Sequence, residues 1–547
     1  MLLDTIAQDL RQALRAFRRS PGFTAVAVLT LSLGIGATTA IFSIVNAVLL
    51  KPLPYVDADR LVVARLSLPD YKDLRTSVDA FDRTAVWATN LYNLRTGSET
   101  QQALGGVVSP ELPGLLGAVP VLGRSFVPDD ERADVVILGY GLWQSRFGGD
   151  PSIVGRTVDL SGTPYTVVGV APSWFRFPTS EFQLWTGLGT LDRTARPQAE
   201  NRGLRIFSAL ARLKEGVSID QARAQVAAQS EALARAYPET NADVTIAIEP
   251  LADRLVGGAR AGLRVLLATV ALVLFIACAN VANLMLARTA TRERELAIRT
   301  ALGAARGRIV RQVLTESVVL ALAGGALGLL LAAWGVDALP SLLAGRLPRA
   351  EGIALDTTVL LFALAASVLT ALLFGIFPAL HAAGGRAEAL KERGRGIAGT
   401  ARGRRLRHTI AVAEIALAVT VVVGAGLLVR SFLNLTGRDP GFTAANLLSF
   451  NVQFVALPDA AARTAAAAQV LERVASVPGV TSVGASTGFP PVTAQRGTRF
   501  EVEGRTLMPD ESGALFIAAT PGYFTTIGAP VTAGREIART DAASTPA

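Results

Sequence analysis

The stretch that decides the fold is residues 271–331, which read ALVLFIACANVANLMLARTATRERELAIRTALGAARGRIVRQVLTESVVLALAGGALGLLL. Two apolar runs flank a short segment rich in arginine and glutamate, and with their flanks they cover residues 263–287 and 309–336. About twenty apolar residues are needed to cross the hydrocarbon core of a bilayer. The stretch therefore predicts two membrane helices joined by a charged segment at one face of the membrane.

Apolar blocks of this length recur along the 547 residues, at 23–50, 263–287, 309–336, 357–381 and 409–433. Half of the residues are hydrophobic, and the mean hydropathy is +0.40. The first block is much longer than the roughly 7–15-residue apolar core of a signal peptide, and no small-residue cleavage site follows it before Lys51. The predicted fold class is a membrane protein with an α-helical bundle of five spans.

Basic residues are concentrated in the segments 1–22, 288–308 and 382–408, whereas the loop 337–356 has two arginines offset by three acids. If all five blocks span, every basic segment lies on one side, which the positive-inside rule makes cytoplasmic. The N-terminus is then cytoplasmic, and 51–262 and 434–547 lie outside. The net charge of +9 is explained by this topology. No recognition motif accompanies it, so nucleic acid is not an expected partner.

The segment 1–22 is predicted to form an amphipathic helix on the cytoplasmic leaflet. Its apolar residues recur at helical spacing beside basic ones: Ile6, Leu10, Ala13, Leu14 and Phe17. The alternative is a helical extension of the first span, which Pro21 and Gly22 would interrupt. The segment 382–408 is predicted to be a basic cytoplasmic linker.

The outside segment 51–262 is predicted to be an α+β domain. Apolar runs at 133–138 and 166–170 are typical of strands, and 218–237 has the pattern of an amphipathic helix that Pro238 ends. The residues expected on the apolar face of that helix are Ile219, Ala222, Val226, Ala227 and Leu233.

An internal repeat links the two outside segments. VSPELPGLLGAVPVLGR (108–124) aligns without gaps on ATPGYFTTIGAPVTAGR (519–535). Both copies follow a span, which indicates a tandem duplication of one span, an outside domain and three spans. In this register Ala547 corresponds to Val136. The expectation is a fragment of a longer chain, and the alternative is a natural stop in a degenerate second half.

The charged segment between the second and third spans is too short and too polar to span. Glu295 and Arg299 lie at i,i+4 with the acid first, which is the favourable order in a helix, and Gly303 can end that helix. The pattern predicts a short amphipathic helix able to dock into a partner's groove. The alternative is a charged loop that only fixes the topology.

This segment resembles the cytoplasmic coupling segment of the MacB/FtsX/LolC class of ABC permeases. The residues that carry the family pattern are Arg292, Glu295, Ala297, Ile298, Arg299, Leu302, Gly303 and Ala304. Five further stretches resemble the same class: 20–55, 141–172, YPETN at 237–241, 424–435 and 439–442, the last two being similar to permeases with two such units.

The resemblance implies MacB-type core folds for both outside segments and a location in the bacterial inner membrane. It also implies that a separate ABC ATPase dimer in the cytoplasm binds and hydrolyses Mg-ATP. The coupling helices would convert closure of that dimer into motion of the periplasmic domains. A second permease half, or a periplasmic or outer-membrane partner, is a further expectation of this class.

Several motifs of enzymes do not occur. The sequence has no G-x-x-x-x-G-K-[ST] loop, and His381, His408 and Cys278 are its only histidines and cysteine. We therefore expect no catalytic, cofactor-binding or metal-binding residue and no enzyme activity of the chain's own.

Four polar residues lie within the predicted spans: Asn280, Asn283, Glu316 and Glu414. Such groups are costly in hydrocarbon and can handle protons or substrate. We favour hydrogen bonding between helices instead. Glu316 is expected to pair with Arg288 or Arg311, and Glu414 with Arg407 or water.

Three functions are compatible with these features. The favoured one is the permease subunit of an ATP-driven efflux or extraction transporter. The second is an FtsX-like mechanical or signalling relay without cargo. The third is a membrane-anchored periplasmic binding protein, which a coupling helix disfavours because a passive anchor has no use for one.

Overall fold

The computed structural model describes residues 2–97, 99–190, 199–291, 306–343, 349, 352–384, 401–437, 439–452, 454, 460–488, 496–499, 502, 504, 513–538 and 540–541. Packing divides the chain into two units. The membrane unit is Met1–Val63 with Glu249–Arg430, and the sheet unit is Ala64–Ile248 with Ser431–Ala547.

The helices are, in chain order, α1 (Leu2–Arg18), α2 (Pro21–Val45), α3 (Leu68–Ser77), α4 (Glu111–Leu116), α5 (Tyr140–Phe147), α6 (Ile219–Ala236), α7 (Pro238–Asn241), α8 (Leu251–Thr291), α9 (Arg306–Leu343), α10 (Thr357–Gly384), α11 (Ala401–Thr436), α12 (Ala460–Ala475) and α13 (Tyr523–Ile527). The strands are β1 (Leu61–Leu66), β2 (Phe81–Thr96), β3 (Glu99–Val108), β4 (Leu122–Gly123), β5 (Val135–Leu138), β6 (Thr157–Leu160), β7 (Thr163–Val170), β8 (Leu184–Gly187), β9 (Phe207–Leu213), β10 (Glu249–Pro250), β11 (Arg496–Arg499) and β12 (Gly513–Phe516).

Within the part of the chain that the structure describes, five helices are long and apolar enough to cross a membrane. They are Pro21–Leu50, Leu251–Arg288, Gly307–Ala338, Thr357–Ile376 and Ala411–Asn434. They confirm the five predicted spans. The main difference is α8, which begins at Leu251 rather than near 263, because Pro250 precedes it and the glycines at 257, 258 and 262 do not end it. Its 41 residues extend for about 60 Å.

Glycines allow α9 to pack tightly against α2. A Cβ added at Gly328 would lie 2.8 Å from the carbonyl oxygen of Ser32 and 3.0 Å from the amide nitrogen of Gly36. A Cβ added at Gly324 would lie 2.6 Å from Cβ of Leu31. Only a residue without a side chain fits at such a crossing.

Polar groups join the membrane helices at the end opposite α1. The Asp356 carboxylate accepts a hydrogen bond from the Val359 amide at 2.9 Å and so caps α10. It also pairs with Nζ of Lys51 at 2.9 Å and accepts from Nδ2 of Asn46 at 3.1 Å. The pKa of the Asp356 carboxyl is lowered by the Val359 amide and by Lys51. These contacts tie the end of α2 to the start of α10.

The sheet unit contains a mixed sheet in which the strand order is β1-β9-β2-β3-β8-β5-β7-β4, with β6 beside β2 and β7. The β3–β8 and β5–β7 pairs are parallel, and β2–β3, β2–β9 and β6–β7 are antiparallel. Large side chains such as Trp185, Tyr92 and Phe207 are fully buried in this unit. The sheet and its helices confirm the predicted α+β class.

Helix α6 matches its predicted bounds and buries a slightly different face. Ser218 and Gln221 form a capping box at its start, and Tyr237 follows its last residue. Ala227 was expected on the buried face, and it is exposed. Ser230 is buried instead, because its hydroxyl donates to the Val244 carbonyl at 3.0 Å and accepts from the Ile246 amide at 3.1 Å.

The two copies of the repeat have the same local structure. Helix α4 ends at Gly117 with φ of 75°, and α13 ends at Gly528 with φ of 68°. The residue after each glycine donates its amide to the carbonyl four residues before that glycine: Ala118 to Pro113 at 2.8 Å, and Ala529 to Phe524 at 2.9 Å. These left-handed glycines close both helices in the same way.

The likeness continues past the aligned residues. Nη2 of Arg124 donates to Asp130 at 3.0 Å, and Nη2 of Arg535 donates to Asp541 at 2.8 Å. Each aspartate also accepts from the amide three residues before it, at 2.9 Å in both copies. Because neither aspartate belongs to the aligned stretch, these bonds support the duplication independently of it.

Candidate functional site at the α1 end of the membrane unit

The predicted coupling residues lie outside the described residues: Arg292, Glu295, Ala297, Ile298, Arg299, Leu302, Gly303 and Ala304. The structure describes the helix ends on either side of them. Helix α8 ends at Thr291 and α9 begins at Arg306. These ends, together with α1, are called the α1 end of the membrane unit.

Arg288 ties the end of α8 to α1 and α2. Its Nη2 donates to the main-chain carbonyl of Ala16 at 2.8 Å. Its guanidinium carbon lies 5.6 Å from the ring centroid of Phe17 and 4.6 Å from that of Phe23. A guanidinium over an aromatic face is attracted by the ring quadrupole. One arginine therefore contacts the last turn of α1 and the first turn of α2.

Arg311 ties the start of α9 to α1. Its Nε donates to Oδ2 of Asp9 at 2.7 Å. The Asp9 side chain is 6% exposed and that of Arg311 is 41% exposed. The bond is charge-assisted, and a carboxylate buried to this degree is strongly destabilising without a cation.

Helix α1 packs through a narrow face of Asp9, Ala13, Ala16 and Phe17, all of which are buried. The expected apolar face is wrong in part, because Leu10 and Leu14 are 43% and 49% exposed. Small residues at 13 and 16 allow close contact, and the leucines lie to one side of that face. The chain leaves the helix after Arg18, and α2 begins at Pro21. The predicted break between the two helices is therefore confirmed.

Asp9 is not among the residues that the sequence predicts. It lies four residues before Ala13 and eight before Phe17, so helical spacing places it on the same face. An acid at helical spacing from Ala13 and Phe17 is the signal that could have identified it.

The four polar residues within the spans have different surroundings. Nδ2 of Asn283 lies 3.4 Å from Oε2 of Glu414, which joins α8 to α11. Glu316 is 5% exposed and accepts from Nε2 of Gln312 at 3.5 Å. Asn280 is exposed. Arg311, one of the two partners expected for Glu316, pairs with Asp9.

Metal ligands are not grouped at this end. Among the residues that the structure describes, no three His, Cys, Asp or Glu side chains are placed to hold a metal ion.

Two family models match the chain. The MacB-like periplasmic core domain matches residues 24–229, and the FtsX-like permease C-terminal domain matches residues 267–385. The chain is a MacB/FtsX-like ABC permease. The FtsX-like match includes all eight predicted coupling residues and also Arg288 and Arg311, which hold the flanking helix ends.

Curated relatives of this permease are export proteins by name. The macrolide export ATP-binding/permease protein MacB of Chromobacterium violaceum is 32% identical over 268 residues, which are 48% of this chain and 39% of that one. MacB of Hahella chejuensis is 26% identical over 394 residues, 66% and 54% of the two chains. The pyoverdine export ATP-binding/permease protein PvdT of Pseudomonas syringae pv. tomato is 29% identical over 308 residues, 53% and 43% of the two chains. The permease thus spans about half the length of these relatives, or less.

Among solved structures, the periplasmic region of MacB from Actinobacillus actinomycetemcomitans is similar with a TM-score of 0.31. It is 14% identical, and the match covers 39% of this permease and 97% of that chain.

A second polar cluster lies in the sheet unit of the permease and contains two residues of the YPETN motif, Tyr237 and Asn241. Nη1 of Arg202 donates to Asp70 at 2.7 Å and to Asp73 at 2.6 Å, and its guanidinium lies 3.7 Å from the ring centroid of Tyr237. Nδ2 of Asn241 donates to the same Asp70 oxygen at 3.0 Å. Asp70 is fully buried. The first and last residues of the motif thus hold α7 against α3.

Proposed function

We propose that this permease couples a separate cytoplasmic ABC ATPase to motion of its periplasmic domains and so drives export. The domain matches support a permease of this kind. The proposal assigns the binding and hydrolysis of Mg-ATP to an ATPase dimer on other subunits. The names of the relatives, which export macrolides and pyoverdine, favour outward transport of small molecules.

The observation that carries the proposal is the anchoring of the two helix ends beside the coupling residues. Arg288 and Arg311 each bind α1, so neither helix end can move freely in the region where the ATPase is proposed to dock. Helix α8 is continuous from Leu251 to Thr291. A push at residues 292–304 would travel along this helix to its far end, because a hydrogen-bonded helix transmits displacement along its axis.

The proposal includes an orientation. The N-terminus and residues 292–304 lie in the cytoplasm of a bacterial cell, because the arginine-rich segments all fall on that side. A relay without cargo would use the same helix ends. The two functions differ in one outcome: cargo stimulates ATP turnover by a transporter and leaves a relay unaffected.

Association with the ATPase tests the docking step. The ATPase encoded nearest to this permease is co-expressed with it, and the complex is captured through a tag on the permease in detergent. Glu295→Ala combined with Arg299→Ala is expected to reduce the captured ATPase at least about tenfold, since docking surfaces concentrate their binding energy in a few residues.

The matched control uses a charged pair on α8 at the opposite end. Asp253 and Arg260 pair at 2.6 Å, and their double alanine variant should capture the ATPase as the unmodified permease does. Equal capture by the unmodified permease and the 295/299 variant would show that the docking assignment is wrong.

A further inference from the structure

We infer that α1 holds the facing ends of α8 and α9 at a fixed separation, with Asp9 as the positioning residue. For its effect on ATP coupling this inference rests on the proposed function, whereas the mechanical role stands on the contacts alone. The helix is attached twice, at Ala16 to Arg288 of α8 and at Asp9 to Arg311 of α9.

The two attachments lie seven residues apart on one helix, which is a separation of about 10 Å along its axis. Because α1 is continuous from Leu2 to Arg18, it acts as a rigid spacer between them. One polar contact to each of the two helices sets the distance between their ends.

Charge makes Asp9 the more important attachment. Helix α1 carries exposed Arg11, Arg15 and Arg18, and it lies against helix ends that carry Arg288 and Arg311. These like charges repel one another. The buried Asp9 carboxylate supplies the opposite charge at the contact, and among the described side chains of α1 the next two residues of its packing face, Ala13 and Ala16, have little area to bury.

The arginines at 11, 15 and 18 and the leucines at 10 and 14 are exposed, so they do not belong to the packing face of α1. Changing Asp9 therefore alters the contact with α9 without altering those exposed side chains. Alanine also has the highest helix propensity, so Asp9→Ala removes the ion pair without weakening α1 itself.

Amide hydrogen exchange of the full permease in lipid nanodiscs measures the effect without any ATPase. Asp9→Ala is expected to raise exchange in the last turns of α8 and the first turns of α9, 284–291 and 306–316, by about tenfold, as loss of a charge-assisted hydrogen bond implies. Exchange in the middle of α2 should stay unchanged, which shows that the bundle remains folded.

Three further variants sharpen the test. Arg311→Gln should raise amide exchange in the same residues by a similar factor. Exchange in the double variant should be no faster than in either single variant, because each single change already removes the Asp9–Arg311 ion pair. Asp9→Glu should restore most of the protection. Asp253→Asn, which breaks the ion pair at the far end of α8, should leave both helix ends protected.

Unchanged exchange in Asp9→Ala, or additive effects in the double variant, would overturn the inference. Because no ATPase is present, this result is independent of whether the 295/299 variant loses the ATPase. With the ATPase bound, Asp9→Ala should retain association and lower the ATP turnover that the permease stimulates.

Discussion

At the scale of single residues, the polar contacts of this permease join segments that are far apart in the sequence. Asp9 and Arg311 are 302 residues apart, and Asn241 and Asp70 are 171 apart. Each contact is a directional bond from a charged group or an amide. Apolar packing alone is not directional and would leave the orientation of the helices undetermined. The predictions at this scale remove one such group at a time.

The YPETN motif offers a first prediction. Asn241→Ala removes a donor from the fully buried Asp70 and should lower the free energy of unfolding of the sheet unit by about 1 kcal/mol. Urea unfolding followed by tryptophan fluorescence measures it, because four of the five tryptophans lie between residues 87 and 185. Glu239→Ala, an exposed change in the same motif, should have no effect. Equal stability of the two variants would contradict the role given to Asn241.

Asp130 gives a pH-dependent prediction. The hydrogen bond from Arg124 and that from the Val127 amide lower the pKa of the Asp130 carboxyl from its ordinary value of 3.8. The ionised form therefore stabilises the fold above pH 3.8, and this stabilisation is lost as the pH falls through the lower folded pKa. Asp130→Asn should cost about 1 kcal/mol at pH 7, since Arg124 is half exposed.

The same urea assay at several pH values measures this difference. It should shrink below pH 3.8 and vanish once Asp130 is protonated in the folded state. Asp129→Asn, at the exposed neighbouring position, is the control and should match the unmodified permease throughout. A difference for Asp130→Asn that stayed constant as the pH fell would be the contrary result.

At the scale of elements, the helices of the membrane unit are predictable from the sequence and their contacts are not. Length and apolarity are local properties, so the five spans and the strands near 133 and 166 follow from the residues themselves. The start of α8 does not follow, because the glycines near 260 weaken a helix in isolation and packing overrides that preference. The inward face of α1 also depends on packing, since Leu10 and Leu14 have the same apolar character as Phe17.

The crossing of α9 and α2 gives the prediction at this scale. Gly328→Val would drive side-chain atoms into the backbone of Ser32 and Gly36, which cannot move aside. Thermal stability of the purified permease should fall, with a cost of about 1–3 kcal/mol. Gly335→Val lies on the same helix and has nothing within 4 Å of the added Cβ, so it controls for helix propensity. If both valines were tolerated equally, close packing at Gly328 would not be what holds this crossing.

At the scale of the whole molecule, the permease contains a repeated structural motif, and α1 binds the helix ends on either side of the coupling residues. The repeat could be predicted from seventeen aligned residues in each copy. Its structural basis, a left-handed glycine followed by an arginine–aspartate pair, depends on hydrogen bonds that the alignment does not contain. The family pattern of the eight coupling residues comes from the resemblance, and the pairing of Asp9 with Arg311 could not be predicted, since the two residues are 302 apart in the sequence.

The measurement that tests the central claim most directly is ATP turnover by the partner ATPase in nanodiscs, with and without this permease. We expect the permease to stimulate turnover, and we expect Glu295→Ala with Arg299→Ala to abolish that stimulation while Asp253→Ala with Arg260→Ala preserves it. Turnover that is the same with the permease, without it and with the 295/299 variant would contradict coupling through this chain.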